Sequence, residues 1–166
     1  MGAVDEHKAR APKSVKCGVI TISDSRTETT DESGKILKQL LLDAGHKILF
    51  TAIVKDDRKA IAEAVEQASW TCDAIVTNGG TGLSKRDVTI ETLEPGLEKV
   101  LPGFGELFRV LSYRDIGSAA MLSRAIAGVY KTRLLFCLPG SPAGCLLAMK
   151  SLILPELGHA IGVMDR

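Results

Sequence analysis

The fold is indicated most clearly by residues 74–82, Ala74-Ile75-Val76-Thr77-Asn78-Gly79-Gly80-Thr81-Gly82, where an apolar run passes directly into a glycine-rich loop. The run predicts a buried strand. Three glycines within positions 79–82 let backbone N–H groups approach a ligand closely, because no Cβ intervenes. A helix predicted near residues 88–93 would turn its positive N-terminal end toward an anion. The stretch therefore predicts a strand, a candidate anion-binding loop and a helix in succession.

The alternation of strand and helix extends in both directions from this stretch. Apolar, β-branched runs predict strands at residues 17–22 and 47–54, and helical periodicity predicts helices at residues 33–44 and 58–70. Further on, residues 125–130 and 134–138 predict an antiparallel hairpin, and a long helix begins at Pro142, with a kink or division at Pro155. We therefore predict an α/β fold, a three-layer open sheet that is mostly parallel with an antiparallel hairpin strand and has helices on both faces.

The totals indicate one folded domain. The chain has 166 residues, with 21 Lys and Arg against 20 Asp and Glu, and a near-neutral balance of this kind argues against binding to nucleic acid. Residues 1–14 predict a flexible tail and residues 15–166 a single domain. The N-terminus lacks the apolar stretch of a signal peptide, and we expect no run long enough to span a membrane. The expectation is a cytoplasmic protein without a membrane or nucleic-acid partner.

Polar loops follow several predicted strands, and in an open α/β sheet ligands bind beyond the carboxyl ends of the strands. These loops are Ser23-Asp24-Ser25, Asp56-Asp57, the glycine loop (residues 78–82) with its continuation Leu83-Ser84-Lys85-Arg86-Asp87, and residues 138–142. Neither a Walker motif nor a dinucleotide fingerprint is present. The glycine loop either cradles phosphates, with Lys85 and Arg86 adding charge, or is a tight turn that merely needs glycine. Asp24 either binds a ligand or caps its turn.

Two further acids, Asp56 and Asp87, each precede a predicted helix. One interpretation is that each caps its helix, a role that Asp favours. The other is that the two carboxylates lie beside transferring phosphates. Bare carboxylates repel phosphate oxygens, whereas a bridging Mg²⁺ turns this repulsion into binding. The second interpretation therefore requires a nucleotide bound together with Mg²⁺.

Six ordered motifs resemble those of the MoaB/MogA family, and the stretch near residues 104–128 is closer to the MoaB branch. The motifs are Ser23-Asp24-Ser25, Asn78-Gly79-Gly80-Thr81-Gly82, Arg86-Asp87-Val88-Thr89, Pro102-Gly103-Phe104-Gly105-Glu106, Met121-Leu122-Ser123-Arg124 and Leu138-Pro139-Gly140-Ser141-Pro142. The resemblance spans residues 15–162. It implies a molybdopterin-binding α/β domain, a homotrimer or homohexamer, that uses Mg-ATP to adenylylate molybdopterin.

The resemblance also implies roles for individual residues. The two essential acidic positions of the family match Asp56 and Asp87, which would be catalytic and would bind the metal ion. Its glycine loop usually starts Thr-Gly-Gly, whereas this chain has Asn78. The remaining binding positions would hold the nucleotide or the pterin phosphate: Ser23, Asp24, Asn78, Gly79, Gly80, Thr81, Gly82, Ser123, Pro139, Gly140 and Ser141.

Two alternatives to the enzyme remain open on the sequence. The fold could bind molybdopterin to store or deliver it without adenylylation, although retention of both carboxylates counts against that interpretation. The chain could also be an oligomeric scaffold that no longer uses the pocket. A nucleotide-dependent oxidoreductase lacks its fingerprint.

Overall fold

The computed structural model describes residues 11–164. Residues 11–14 form neither helix nor strand, and this segment packs on the last helix, where Gly158 and Gly162 leave room for Pro12 and Ala11. The predicted tail therefore lies against the domain over its last four residues, and its residues 1–10 fall outside the described part of the chain.

One mixed sheet organises the described residues. Its six strands are β1 (Lys16–Ile22), β2 (Lys47–Val54), β3 (Ala74–Asn78), β4 (Lys99–Val100), β5 (Ile126–Tyr130) and β6 (Arg133–Leu138), in the spatial order β2-β1-β3-β6-β5-β4. The first four in that order are parallel, and β5 and β4 are antiparallel additions. The predicted hairpin is confirmed, with Lys131 and Thr132 at positive φ in its two-residue turn. The two-residue strand β4 was not predicted.

Helices cover both faces of the sheet, which confirms the predicted three-layer fold. The helices are α1 (Glu32–Asp43), α2 (Arg58–Ser69), α3 (Thr89–Leu93), α4 (Pro102–Ile116), α5 (Pro142–Ala148) and α6 (Leu154–Met164). Alternate strand residues bury on opposite sides. Val19 and Val76 pack in the cluster with α1, α4, α5 and α6, whereas Ile20 and Ile75 pack with α2 and Leu93 of α3.

The last two helices are joined by a π-helical turn at Met149–Ile153. Pro155 cannot donate a backbone hydrogen bond, which disturbs the helical ladder directly before it, so the predicted division takes the form of this turn. Within residues 11–164, the combined stretch Pro142–Met164 is long and apolar enough to cross a membrane by length and composition, contrary to our expectation. In this fold one side of the stretch belongs to the core, through Cys145, Ala148, Met149, Ile153, Leu157 and Ile161.

The chain order places a switch point between β1 and β3. From β1 the chain runs outward through α1 to β2, and then returns through α2 to β3 on the other side of β1. The connections that follow β1 and β3 therefore leave two adjacent strands in opposite directions and open a crevice between them. In open α/β sheets, ligands bind in a crevice of this kind. The loop after β6 lies next in line, because β6 is parallel to β3.

Candidate functional site

The glycine loop has a backbone that its glycines require. Gly79 and Gly80 have φ values of 98° and 65°, in the left-handed region that other residues rarely adopt. A Cβ at Gly79 would lie 2.1 Å from the carbonyl oxygen of Ile22. The N–H of Gly79 donates to Leu138 at 3.0 Å, and the hydroxyl of Thr89 donates to the carbonyl of Gly79 at 2.9 Å. These contacts fix the loop against the ends of β1 and β6 and the start of α3.

Asp24 and Asp56 hold each other in place. The backbone N–H of Asp24 donates to Oδ2 of Asp56 at 3.1 Å, and the N–H of Asp56 donates to Oδ1 of Asp24 at 3.2 Å. Arg86 donates to Oδ2 of Asp24 from Nε at 3.1 Å and from Nη2 at 2.6 Å. The loops after β1, β2 and β3 are thereby joined, although they are separated in sequence. Because Nε and Nη2 of Arg86 face Asp24, its predicted phosphate contact would have to come from its other N–H donors or follow release from Asp24.

The two acids of this pair differ in their electrostatics. The hydrogen bonds from Arg86 lower the pKa of Asp24 below its ordinary value. Burial raises the pKa of Asp56, and the negative charges of Asp24 and Asp87 add to that rise. A carboxylate disfavoured by its neighbours in this way is stabilised by an added cation.

Asp87 completes the acidic end of the site. Its Oδ2 accepts the N–H of Ser84 at 2.9 Å, which closes the loop between the glycines and α3. A Cβ at Gly82 would lie 2.8 Å from the same Oδ2, and one at Gly80 would lie 2.9 Å from Oδ1 of Asp56. The glycine loop therefore passes close to both carboxylates, and only the absence of side chains at Gly80 and Gly82 allows this approach.

Neither acid caps a helix. Asp57 is the N-cap of α2, with its side chain accepting the N–H of Ala60, and Val88 precedes α3 without a side-chain cap. The capping interpretation of Asp56 and Asp87 is therefore wrong. Two adjacent aspartates at positions 56 and 57 could not be told apart in the sequence, because the choice depends on which residue adopts extended backbone.

Two predicted binding residues turn their side chains to internal contacts. Asn78 is 1% exposed, and its side-chain amide donates to Thr21 at 3.0 Å, which ties β3 to β1. The hydroxyl of Ser23 accepts the N–H groups of Ser25 and Arg26, both at 3.2 Å. Both residues shape the floor of the crevice, and a ligand contact from Asn78 would have to come from its backbone.

The residues predicted to hold the pterin phosphate line a cavity of about 120 Å³ beside the glycine loop. Ser123, Pro139 and Ser141 contribute to this cavity together with α4 and α5. Ser141 caps α5 by accepting the N–H of Gly144 at 3.1 Å. A Cβ at Gly140 would lie 3.3 Å from Cα of Gly79. The turn formed by Pro139, Gly140 and Ser141 thus abuts the glycine loop, and the predicted site residues of both groups lie along one edge of the sheet.

Arg124 ends the Met121-Leu122-Ser123-Arg124 motif, but the sequence analysis gave it no role in the site. Its Nε donates to the carbonyl of Thr81 at 2.9 Å, and its Nη1 donates to Glu91 at 2.7 Å. Thr81 itself is buried, so the carbonyl contact fixes the middle of the glycine loop. Both partners lie far from Arg124 in sequence, and no local pattern signals such contacts.

The match to known proteins agrees with this arrangement of fold and site. Residues 18–159 match the family described as "Probable molybdopterin binding domain". The chain is 54% identical to molybdenum cofactor biosynthesis protein B of Bacillus cereus over 160 residues, which covers 95% of both chains. The chain is therefore a domain of the molybdopterin-binding class.

Solved structures agree. One crystal structure of a molybdenum cofactor biosynthesis protein B shares 52% identity at a TM-score of 0.91, covering 95% of this chain and 99% of the other. The tungsten cofactor synthesizing protein MoaB from Pyrococcus furiosus shares 35% identity at a TM-score of 0.87, covering 94% and 100%. The chain belongs to the MoaB/MogA family, and this membership places it in molybdenum cofactor biosynthesis.

Proposed function

We propose that the chain catalyses Mg-ATP-dependent adenylylation of the terminal phosphate of molybdopterin. An oxygen of that phosphate attacks the α-phosphorus of ATP, and the bond from this phosphorus to the bridging oxygen of the β-phosphate breaks, so that pyrophosphate leaves. Chemistry of this kind depends mainly on positioning and charge neutralisation. The observation that carries the proposal is the approach of Asp56 and Asp87 to Gly80 and Gly82 of the glycine loop.

The donor set suits Mg²⁺. No group of three or more His, Cys, Asp and Glu side chains in residues 11–164 is arranged to hold a metal ion. However, Mg²⁺ is commonly bound by one or two carboxylates together with substrate phosphates and water. Asp56 and Asp87 would hold it. Burial, and to a lesser extent the charges of Asp24 and Asp87, raise the pKa of Asp56, and a bound cation would favour its ionised form. Bound there, the ion would neutralise phosphate charge.

The other residues divide the two substrates between them. Backbone groups of the glycine loop, with Asp24 and Ser23 beside it, would line the nucleotide phosphates. Ser123 and the turn of Pro139, Gly140 and Ser141 would hold the pterin phosphate in the neighbouring cavity. The contact between Gly140 and Gly79 would bring the two phosphates together. We place this reaction in the cytoplasm.

A turnover assay tests the function. Wild-type protein with molybdopterin, ATP and Mg²⁺ should release pyrophosphate and form adenylylated molybdopterin, whereas Asp87→Asn should abolish turnover and largely retain pterin binding. Equal loss of turnover and pterin binding would contradict the metal role. Pterin binding without turnover in the wild type would favour the non-catalytic carrier, and binding of neither ligand would favour the scaffold.

We further propose that the chain assembles as a homotrimer or a dimer of trimers, as the family resemblance implies. One side of α4 and the segment after it expose Leu107, Val110, Tyr113, Ile116, Met121 and Leu122. A contiguous apolar surface of this kind is typical of a protein interface. Light scattering after gel filtration should give three or six chains per particle, and Val110→Glu should reduce that number. A wild-type monomer would contradict the assembly.

A further inference from the structure

Arg124 joins three parts of the chain close to the candidate site. It lies between Ser123 and strand β5, and its guanidinium reaches both Thr81 in the glycine loop and Glu91 on α3. Nη2 is also 2.7 Å from Glu91 Oε1, although it is not aligned for a hydrogen bond. The carbonyl of Glu91 in turn accepts Nη1 of Arg58 on α2 at 3.2 Å. The guanidinium of Arg124 thus connects the glycine loop to α3, and the contact between Glu91 and Arg58 connects α3 to α2.

The contact at Thr81 falls between the two glycines that approach the acids. Gly80 has positive φ, and Gly82 lies beside Asp87. Thr89 fixes the loop at Gly79 through its hydroxyl and at Gly80 through its backbone N–H. Arg124 fixes it beyond that point, where flexible glycines would otherwise leave the backbone free.

We infer that Arg124 is a positioning residue, which holds the glycine loop in its ligand-binding shape through the carbonyl of Thr81 and is itself oriented by Glu91. This inference rests on the proposed function for its effect on turnover. A planar guanidinium can satisfy a carbonyl and a carboxylate at once in fixed geometry, whereas a lysine ammonium cannot reproduce both contacts. The N–H of Ser123 is held separately by Ala120 at 3.0 Å, so loss of Arg124 should loosen the loop more than Ser123.

The chain contains a matched control at the other end of the sheet. Nε of Arg133 donates to the carbonyl of Ser69 at 3.1 Å, and its Nη1 lies 3.5 Å from Asp73. The side-chain exposures are similar, 34% for Arg133 and 31% for Arg124. Arg133 therefore makes the same kinds of contact without touching the candidate site, and Arg133→Gln reports the general cost of losing such an arginine.

The experiment compares Arg124→Gln, Arg124→Lys and Arg133→Gln by hydrogen exchange of the unliganded protein and by steady-state kinetics. Both Arg124 variants should speed exchange of the amides at residues 79–84 by about tenfold to a hundredfold, and Arg133→Gln should not. The KM for ATP should rise by about tenfold or more in the Arg124 variants, with a smaller change for molybdopterin. Arg124→Lys keeps the charge and serves equally where Arg124→Gln folds poorly.

Three results would overturn the inference. They are unchanged loop exchange in the Arg124 variants, equal exchange increases in the Arg133 control, and full rescue by lysine, which would show that charge alone suffices. If wild-type protein shows no turnover, the proposed reaction fails, but the exchange measurement still decides whether Arg124 holds the loop.

Discussion

Carboxylates at the two ends of the parallel strands have different surroundings. At the amino ends Glu66 pairs with Lys131 and accepts the hydroxyl of Tyr130, while Asp73 pairs with Arg133. At the carboxyl ends Asp24 is paired with Arg86, but no cation of residues 11–164 forms an ion pair with Asp56 or Asp87. The pKa of Glu66 is accordingly lowered by its hydrogen bonds from Lys131 and Tyr130, whereas burial and neighbouring acids raise that of Asp56. Negative charge is compensated by cationic side chains at the amino ends, and it is left uncompensated at Asp56 and Asp87, where a divalent metal ion could bind.

The largest expected effect comes from removing one charge at each end. Asp56→Asn should reduce turnover by about 10³-fold or more, without lowering the unfolding temperature, since burial and the charges of Asp24 and Asp87 disfavour the ionised carboxylate. Glu66→Gln should leave turnover unchanged and lower the unfolding temperature slightly, because it weakens a favourable ion pair. Steady-state kinetics and thermal unfolding of both variants at pH 7 check the contrast. A lower unfolding temperature for Asp56→Asn than for Glu66→Gln would contradict the contrast between the two ends.

A second prediction separates the cost of backbone strain at a positive-φ glycine from the cost of a steric clash with neighbouring atoms. Gly80 and Gly45 both have positive φ, 65° and 85°, but a Cβ at Gly80 would meet Thr89 Oγ1 at 2.3 Å, whereas nothing lies within 4 Å at Gly45. Gly45→Ala should cost about 1 kcal/mol of unfolding free energy from backbone strain. Gly80→Ala should cost about 1–3 kcal/mol more and also reduce turnover. Denaturant unfolding measures both, and equal costs would show that the loop yields to the added methyl.

The reactivity of the buried cysteine thiols should not differ between the two ends of the sheet. Burial raises the pKa of Cys17, Cys137 and Cys145 to about 12, so about 10⁻⁴ of each thiol is ionised at pH 8. A thiol reagent should therefore label these positions only on unfolding, and the rate on the native protein should rise with pH. Rapid native labelling at pH 8, read by mass spectrometry, would indicate local opening of the core.

The smallest effect concerns His46, at the amino end of β2. Its Nδ1 accepts the N–H of Val15 at 3.2 Å, which requires a neutral ring, and burial lowers its pKa from 6.5. Stability from this group is complete above pH 6.5 and declines as pH falls through that value, because the unfolded chain takes up the proton first. The unfolding temperature of wild type should fall relative to His46→Asn between pH 7.5 and about 5, by less than about 4 °C. A constant difference would mean that folding does not lower the pKa of His46.

The fold followed from local patterns to a greater extent than the site did. Apolar periodicity located the long strands and helices, because burial on one or two faces dictates it. It missed β4, since Lys99-Val100 is short and exposed. The strand-end rule brought Asp24, Asp56 and Asp87 together correctly. Arg124 could not be found in this way, because its partners are joined to it only by the tertiary fold.

The measurement that tests the account most directly is the structure of a crystal soaked with ATP and Mg²⁺ or with adenylylated molybdopterin. The account predicts triphosphate density along the glycine loop, with its phosphates beside a metal ion that touches both Asp56 and Asp87. Nucleotide density at another surface, with these two carboxylates contacting neither phosphate nor metal, would contradict it.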